Sequence, residues 1–146
     1  MEAEKKMEIS SESKVRVEFY DVDSMDVVYH ANYIKFLEVA RCDLLDKIGY
    51  GYEQMRATSY VFPVATLNVK YVRSLRFGQT ATVKATLVEW ENRIKIKYEI
   101  LDPNGVLVTK AETTQMAVKM PEGETCFVCP KALTDKVEAI LARGEF

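Results

Sequence analysis

The sequence predicts an α+β fold in which one antiparallel sheet is covered by a single long helix. Three observations favour it: apolar residues at helical spacing over 33–48, alternating apolar residues over 94–100, and a turn signal at Asp102–Gly105. The helical spacing indicates a helix with one buried face, and the alternation indicates a strand with one buried face. Short hairpin links between strands favour antiparallel pairing.

Strands are predicted in five stretches of the chain, all marked by alternating or β-branched and aromatic residues. These stretches are 14–20, 61–72, 80–90, 94–100 and 106–118. The sheet is expected to curl around the central helix. We find no internal repeat.

Helices are predicted at three places. The long helix begins near Tyr33, contains no proline, and ends before Gly49, a residue typical of helix C-termini. A short helical turn is expected at 52–56. Pro130 is expected to open a terminal amphipathic helix, since proline suits a first helical turn.

Size and composition limit the classes of function. The 146 residues suffice for one domain, which we place at 14–146, with a flexible polar tail at 1–13. A net charge of −2 gives no reason to expect nucleic-acid binding. No apolar run approaches the roughly 18 residues of a membrane-spanning helix. We therefore expect neither nucleic acid nor a membrane span.

Three cysteines and no recognisable export signal indicate a reducing, cytoplasmic location. Cys126 and Cys129 have the spacing of redox and zinc sites but stand alone, whereas a structural zinc ion needs about four ligands. We favour two free thiols, and we expect no metal and no cofactor.

The candidate site lies where the first strand meets the long helix. The single histidine, His30, follows Asp23 by seven residues. A helix start leaves backbone N–H groups unpaired, so a carboxylate, an imidazole and free amides are expected close together. Hydrolysis of an activated acyl group needs these elements.

The same stretch resembles a family motif. Three consecutive features of this stretch resemble the hotdog-fold thioesterases. They are an Asp-x-Asp pair at Asp21 and Asp23, the sequence Val-Val-Tyr-His-Ala-Asn-Tyr over 27–33, and an aromatic-Leu-Glu-x-Ala-Arg helix over 36–41. The likeness is to the hydroxybenzoyl-CoA thioesterase type, and most closely to its Tol–Pal-associated acyl-CoA thioesterase branch. It runs from about residue 14 to 118.

The resemblance implies a five-stranded sheet wrapped around the helix, and hydrolysis of a fatty or aromatic acyl-CoA. It further implies a homodimer or homotetramer with active sites at the dimer interface. An exposed sheet edge permits such pairing. Two residues depart from the family: Asp26 stands where glycine is common, and Ser74 where proline is frequent. Asp26 either raises the pKa of the catalytic carboxyl or points to solvent, and we favour the second.

Asp23 and His30 are the predicted catalytic residues. The resemblance implies an essential aspartate, which acts as nucleophile or as general base; the alternative is a loop aspartate bonded to nearby amides. The amides of His30, Ala31 and Asn32 are the predicted oxyanion hole. His30 is expected either to orient substrate or water as a neutral ring, or to pack at the helix start.

Tyr29, Tyr60 and Phe62 are candidate substrate contacts, although packing is the favoured role of Tyr29. In the family, basic residues near the start of the fourth strand contact the nucleotide, and Arg93 matches them best; a solvated strand face is the alternative. Other functions stay open: hydrolysis of acyl-carrier-protein thioesters, hydration by a hydratase-type hotdog protein, or acyl-CoA binding without turnover.

Overall fold

The computed structural model describes residues 7–146. Eight strands and three α-helices lie in this range. In chain order they are β1 Ile9–Arg16, α1 Tyr33–Ile48, α2 Tyr52–Ala57, β2 Tyr60–Val61, β3 Val64–Tyr71, β4 Thr80–Glu89, β5 Ile94–Leu101, β6 Leu107–Gln115, β7 Ala117–Lys119, β8 Glu124–Cys126 and α3 Lys131–Arg143.

The five long strands form one antiparallel sheet in the order β1-β4-β5-β6-β3. Alternate residues of β5 are buried, and the apolar face of α1 is buried with them in one core. The predicted α+β class, with one long helix against a five-stranded antiparallel sheet, is therefore confirmed.

The predicted helices are confirmed with small changes of boundary. Gly49 ends α1 with a φ of +97°, a left-handed conformation that glycine adopts without steric cost. The short turn at 52–56 is α2, and Pro130 is the N-cap of α3.

The start of the first strand was predicted too late. β1 begins at Ile9, so the expected tail 1–13 is wrong from that residue onward, and residues 1–6 lie outside the described range. The early part of this strand lacks an alternating apolar pattern because several of its residues are polar. Ser13 is nevertheless buried and its hydroxyl donates to Asp43, while the backbone pairs with β4. The strand also ends earlier than predicted: the chain turns after Arg16, and Phe19 beyond it is 77% exposed.

Two predicted strands are interrupted. Residues 61–72 divide into β2 and β3 around Phe62 and Pro63, and residues 106–118 divide into β6 and β7. Proline offers no N–H to a strand ladder. The displaced pieces form a second, small sheet in the order β2-β7-β8, which the sequence did not predict.

The register defines two ends of the main sheet. At one end Tyr71 lies opposite Thr109; at the other, Val64 lies opposite Gln115. We call these the Tyr71 end and the Gln115 end. Six residues separate them along β6, which at about 3.3 Å per residue is about 20 Å.

Candidate active site

The loop between β1 and α1 is closed by main-chain hydrogen bonds. Val22 and Val28 form an antiparallel bridge, and the Tyr29 N–H donates to the Asp21 carbonyl at 3.0 Å. The Asp23 N–H donates to the Val27 carbonyl at 2.9 Å. The loop therefore holds Asp23 at a defined position before the helix.

Asp21 anchors this loop from inside the protein. It is 2% exposed, and its carboxylate accepts hydrogen bonds from the Glu18 N–H at 2.9 Å and from the Lys35 ammonium at 2.7 Å. Its carbonyl also accepts the Asn32 side-chain amide at 2.9 Å. Of the two motif aspartates, Asp21 is thus the structural one.

Asp23 is exposed, and its two carboxylate oxygens differ. Oδ1 accepts the Met25 N–H at 2.8 Å and, more weakly, the Val27 N–H at 3.4 Å. Oδ2 has no hydrogen-bond partner within residues 7–146. The loop role weighed for Asp23 is therefore real, and it leaves one oxygen free.

Asp26 adopts a left-handed conformation with a φ of +60° and is exposed. Exposure agrees with the favoured prediction that this side chain points to solvent. The positive φ also gives a physical reason for glycine at this position, since a side chain is strained there.

The long helix is preceded by a 3-10 turn over His30–Asn32. The Asn32 N–H donates to the Tyr29 carbonyl at 2.8 Å, so its prediction as a free oxyanion donor is wrong. The His30 and Ala31 N–H groups have no backbone or side-chain acceptor in the described part of the chain. The Asn32 side chain donates to the Asp21 carbonyl and holds the loop, and it forms no capping hydrogen bond to the helix.

His30 is exposed and packs among aromatic rings. Its ring centroid lies 4.3 Å from that of Tyr29 and 6.4 Å from that of Tyr71. No hydrogen bond to either ring nitrogen is formed by residues 7–146, so the imidazole is free to meet a ligand.

A cleft of about 210 Å³ lies beside this ring, and we call it the turn cleft. Tyr33 lies in it, and burial raises the pKa of its phenol although the Leu75 N–H donates to the phenol oxygen. The lining residues are Val28, His30, Tyr33, Tyr71, Val72, Arg73 and Ser74.

A larger pocket of about 390 Å³, the helix pocket, lies between α1, α2 and β2. Its walls are mostly apolar, with Arg41, Asp46 and Gln115 as polar exceptions. The lining residues are Arg41, Cys42, Leu45, Asp46, Gly51, Tyr52, Met55, Tyr60, Val61, Phe62, Pro63 and Gln115.

The predicted site residues divide between the two ends of the sheet. Asp23, Tyr29 and His30 lie at the Tyr71 end, where the Tyr71 hydroxyl donates to the His30 carbonyl. Tyr60 and Phe62 line the helix pocket at the Gln115 end, about 20 Å away along the strands. One chain therefore places the predicted catalytic residues and the predicted acyl contacts at opposite ends of the sheet.

Arg93 also lies at the Gln115 end, just before β5, whose first residue Ile94 pairs with Gln115. The Arg93 guanidinium is about half exposed and donates to the Glu89 carboxylate at 3.1 Å. This ion pair fits either a solvated turn or a cation available to a phosphate.

Sequence reasoning missed two residues. Arg41 was given no role in the predicted site; it forms an ion pair with Glu38, and its side chain is only 12% exposed and lines the helix pocket. Tyr71 was assigned no role. Its position at the end of an aromatic strand was a weak signal, because only the tertiary structure brings it to His30.

The other reactive side chains in the described part of the chain form neither a metal site nor a reactive thiol site. Within residues 7–146 no three His, Cys, Asp or Glu side chains are arranged to hold a metal ion. No helix there is long and apolar enough to cross a membrane. Cys129 is buried, and burial raises the pKa of its thiol to about 11, which makes a reactive thiolate scarce at neutral pH.

Comparisons with known proteins bear on the family and the fold. The model of the thioesterase-like superfamily matches residues 17–138. YneP of Bacillus subtilis, a candidate acyl-CoA thioesterase, is 34% identical over 110 residues, covering 74% of this chain and 79% of YneP. The acyl-CoA thioester hydrolase YbgC of Escherichia coli O157:H7 is 26% identical over 105 residues, covering 71% of this chain and 78% of YbgC. The DHNA-CoA thioesterase of Staphylococcus aureus superposes with a TM-score of 0.80 at 28% identity, covering 94% of this chain and 96% of that one.

Proposed function

Because the chain belongs to the thioesterase-like superfamily, we propose that it hydrolyses the thioester of an acyl-CoA to the free acid and coenzyme A. One observation carries the proposal: a carboxylate with a free oxygen at Asp23 precedes a helix start with two unpaired N–H groups. These are the attacking and the stabilising halves of an acyl-transfer site.

The thioester oxygen accepts hydrogen bonds from the His30 and Ala31 N–H groups at the positive end of α1. Charge grows on that oxygen as the carbonyl carbon becomes tetrahedral, and each such donor is typically worth about 2.7–4 kcal/mol. Asp23 either attacks the carbon directly or removes a proton from an attacking water. The carbon–sulfur bond then breaks, and the thiolate leaves and takes up a proton. On the direct route, water then hydrolyses the mixed anhydride formed with Asp23, which releases the acid and restores the carboxylate. The exposed His30 ring orients the substrate or the water.

We also propose that the active enzyme contains two copies of the chain, joined through β3. This edge strand is exposed on both faces, because the five consecutive residues 64–68 are all exposed; Leu67 is 40% and Tyr71 45% exposed. An unpaired strand edge is a ready template for another strand. When a strand pairs with its own copy across a two-fold axis in the sheet, the pair is antiparallel.

Antiparallel pairing sets the Tyr71 end of each chain beside the Gln115 end of the other. Asp23 and His30 of one subunit then face the helix pocket of the partner subunit, which receives the acyl group against Tyr60 and Phe62. Arg93, near that pocket, is the proposed contact for a coenzyme A phosphate. A volume of 390 Å³ corresponds to about 13 water-sized groups, so acyl groups of up to about a dozen non-hydrogen atoms fit, bicyclic aromatic ones included.

Three finer points belong to the same proposal. The motif over 27–33 supports the Tol–Pal-associated branch, although identity to YbgC is lower than to YneP. The unpaired state of the three cysteines supports a reducing, cytoplasmic compartment. Pairing of two dimers would give the homotetramer that the family likeness implies.

Thiol release from a panel of acyl-CoAs tests the activity. Asp23→Asn keeps an oxygen for the Met25 N–H but removes the charge, and we expect kcat to fall at least about 100-fold. Asp26→Asn is the matched control, because asparagine tolerates the left-handed conformation, and its kcat should stay near wild type. Wild-type levels of hydrolysis by Asp23→Asn, or acyl-CoA binding without any turnover by the native protein, would refute the proposal.

Mixed dimers test the shared site. Asp23→Asn and Met55→Trp, which fills the helix pocket, should each be inactive on the best substrate. Random reassortment of the two should restore about one quarter of wild-type activity, because half of the dimers then contain one intact site. No recovery would mean that each site is built from one chain.

A further inference from the structure

We infer that Tyr71 is a positioning residue: its hydroxyl fixes the peptide group that polarises the thioester carbonyl. The inference rests on the proposed thioesterase activity and adds a residue to it. Tyr71 lies on the open edge strand, forty-one residues from His30 in the chain, yet its hydroxyl donates to the His30 carbonyl at 2.7 Å.

The hydrogen bond acts on the candidate oxyanion donor through one peptide group. The His30 carbonyl and the Ala31 N–H belong to the same planar unit and point in opposite directions. Holding the oxygen therefore fixes the direction of the N–H, which has no acceptor among residues 7–146. A carbonyl that accepts a hydrogen bond also makes its own N–H a stronger donor, because hydrogen bonds in a chain polarise one another.

The anchor itself is rigid. Tyr71 ends β3, and its backbone is paired with Thr109 of β6. Its ring packs edge-on against Tyr33 at a centroid distance of 5.3 Å, and the Tyr33 oxygen accepts the Leu75 N–H at 3.0 Å. The sheet thus supports the start of α1 at the one turn where unpaired amides are needed.

This arrangement matters more in the transition state than in the bound substrate. Charge on the thioester oxygen grows during the reaction, so a misdirected N–H lowers kcat while leaving ground-state binding nearly unchanged. A purely structural tyrosine would instead change stability, or kcat and KM together.

Tyr71→Phe removes the hydroxyl and keeps the ring. We expect kcat to fall about 10-fold, equivalent to about 1.4 kcal/mol, with KM within about twofold of wild type. The melting temperature and the sedimentation mass should not change. Tyr20→Phe is the control, since Tyr20 is 76% exposed and its hydroxyl forms no hydrogen bond in the described chain.

A readout independent of turnover separates this inference from the proposed function. The amide resonance of Ala31 should move in Tyr71→Phe and stay in place in Tyr20→Phe. If the wild-type protein hydrolyses no thioester but the resonance moves, the function fails and the positioning contact stands. An unmoved resonance, an unchanged kcat, an equal loss in Tyr20→Phe, or a loss that accompanies a fall in mass or melting temperature would each overturn the inference.

Discussion

Replacing Asp21 should separate the two aspartates of the motif into a structural and a chemical one. Asp21→Ala removes a buried carboxylate that accepts the Glu18 N–H and the Lys35 ammonium. A hydrogen bond to a charged group contributes about 1.5–3 kcal/mol to stability, which applies to the part-buried Glu18 amide. The Lys35 side chain is 53% exposed, so its ion pair adds only about 0–1 kcal/mol.

The sum predicts a loss of about 1.5–4 kcal/mol in the free energy of unfolding. Urea titration followed by the fluorescence of the single tryptophan measures it, at one fixed protein concentration because assembly contributes to stability. Below the unfolding transition kcat should change little, since the Asp21 carbonyl still accepts the Tyr29 N–H and the Asn32 side-chain amide.

Two control variants test which contact of Asp21 contributes the stability. Lys35→Met removes the ion pair alone and should cost no more than about 1 kcal/mol. Asp23→Ala removes an exposed carboxylate and should cost less stability than Asp21→Ala while abolishing activity. If Lys35→Met is as damaging as Asp21→Ala, the Glu18 amide is not the main contact. If the free energy of unfolding of Asp21→Ala lies within about 1 kcal/mol of the wild-type value, the hydrogen bonds of the buried carboxylate contribute less to stability than predicted.

Three further outcomes follow from a strained position, an exposed position and a buried one. Asp26→Gly should stabilise the protein by roughly 0.5 kcal/mol in the same urea titration, because glycine adopts a φ of +60° without strain; a less stable variant contradicts this. Leu67→Lys on the open edge strand should lower the sedimentation mass from dimer to monomer and abolish hydrolysis; an unchanged mass excludes pairing through β3. Cys129 should resist iodoacetamide at pH 7.5 until the protein unfolds. Its raised pKa means that the folded state binds the thiol proton more tightly, so stability should be highest below pH 9 and fall as the pH rises toward 11; rapid labelling of native Cys129 would contradict its burial.

Most of the fold was predictable because the spacing of apolar residues along the chain indicates which side chains are buried. The spacing that ends at Gly49 predicted α1, and the alternation over 94–100 predicted β5. The beginning of β1 was not predictable in this way. Its buried Ser13 is polar, and the strand is held by backbone pairing with β4 and by a side-chain hydrogen bond to Asp43.

The sequence proposed one segment for the candidate site, and the structure distinguishes the residues within that segment. The sequence presents Asp21 and Asp23 as a pair of similar carboxylates. Their burial differs because Asp21 lies under the start of α1 and Asp23 at the tip of the loop. Three amides were predicted to be free, but only those of His30 and Ala31 lack an acceptor in the described chain. The amide of Asn32 donates to the Tyr29 carbonyl within the 3-10 turn.

The amino-acid sequence by itself predicted the long helix, the terminal helix and the five long strands, because their patterns depend on neighbours along the chain. Only the tertiary structure decided that Tyr71 meets His30, and that the helix pocket lies at the other end of the sheet, about 20 Å away along β6. Strand register and edge exposure arise from pairing between distant residues, and no local pattern encodes them.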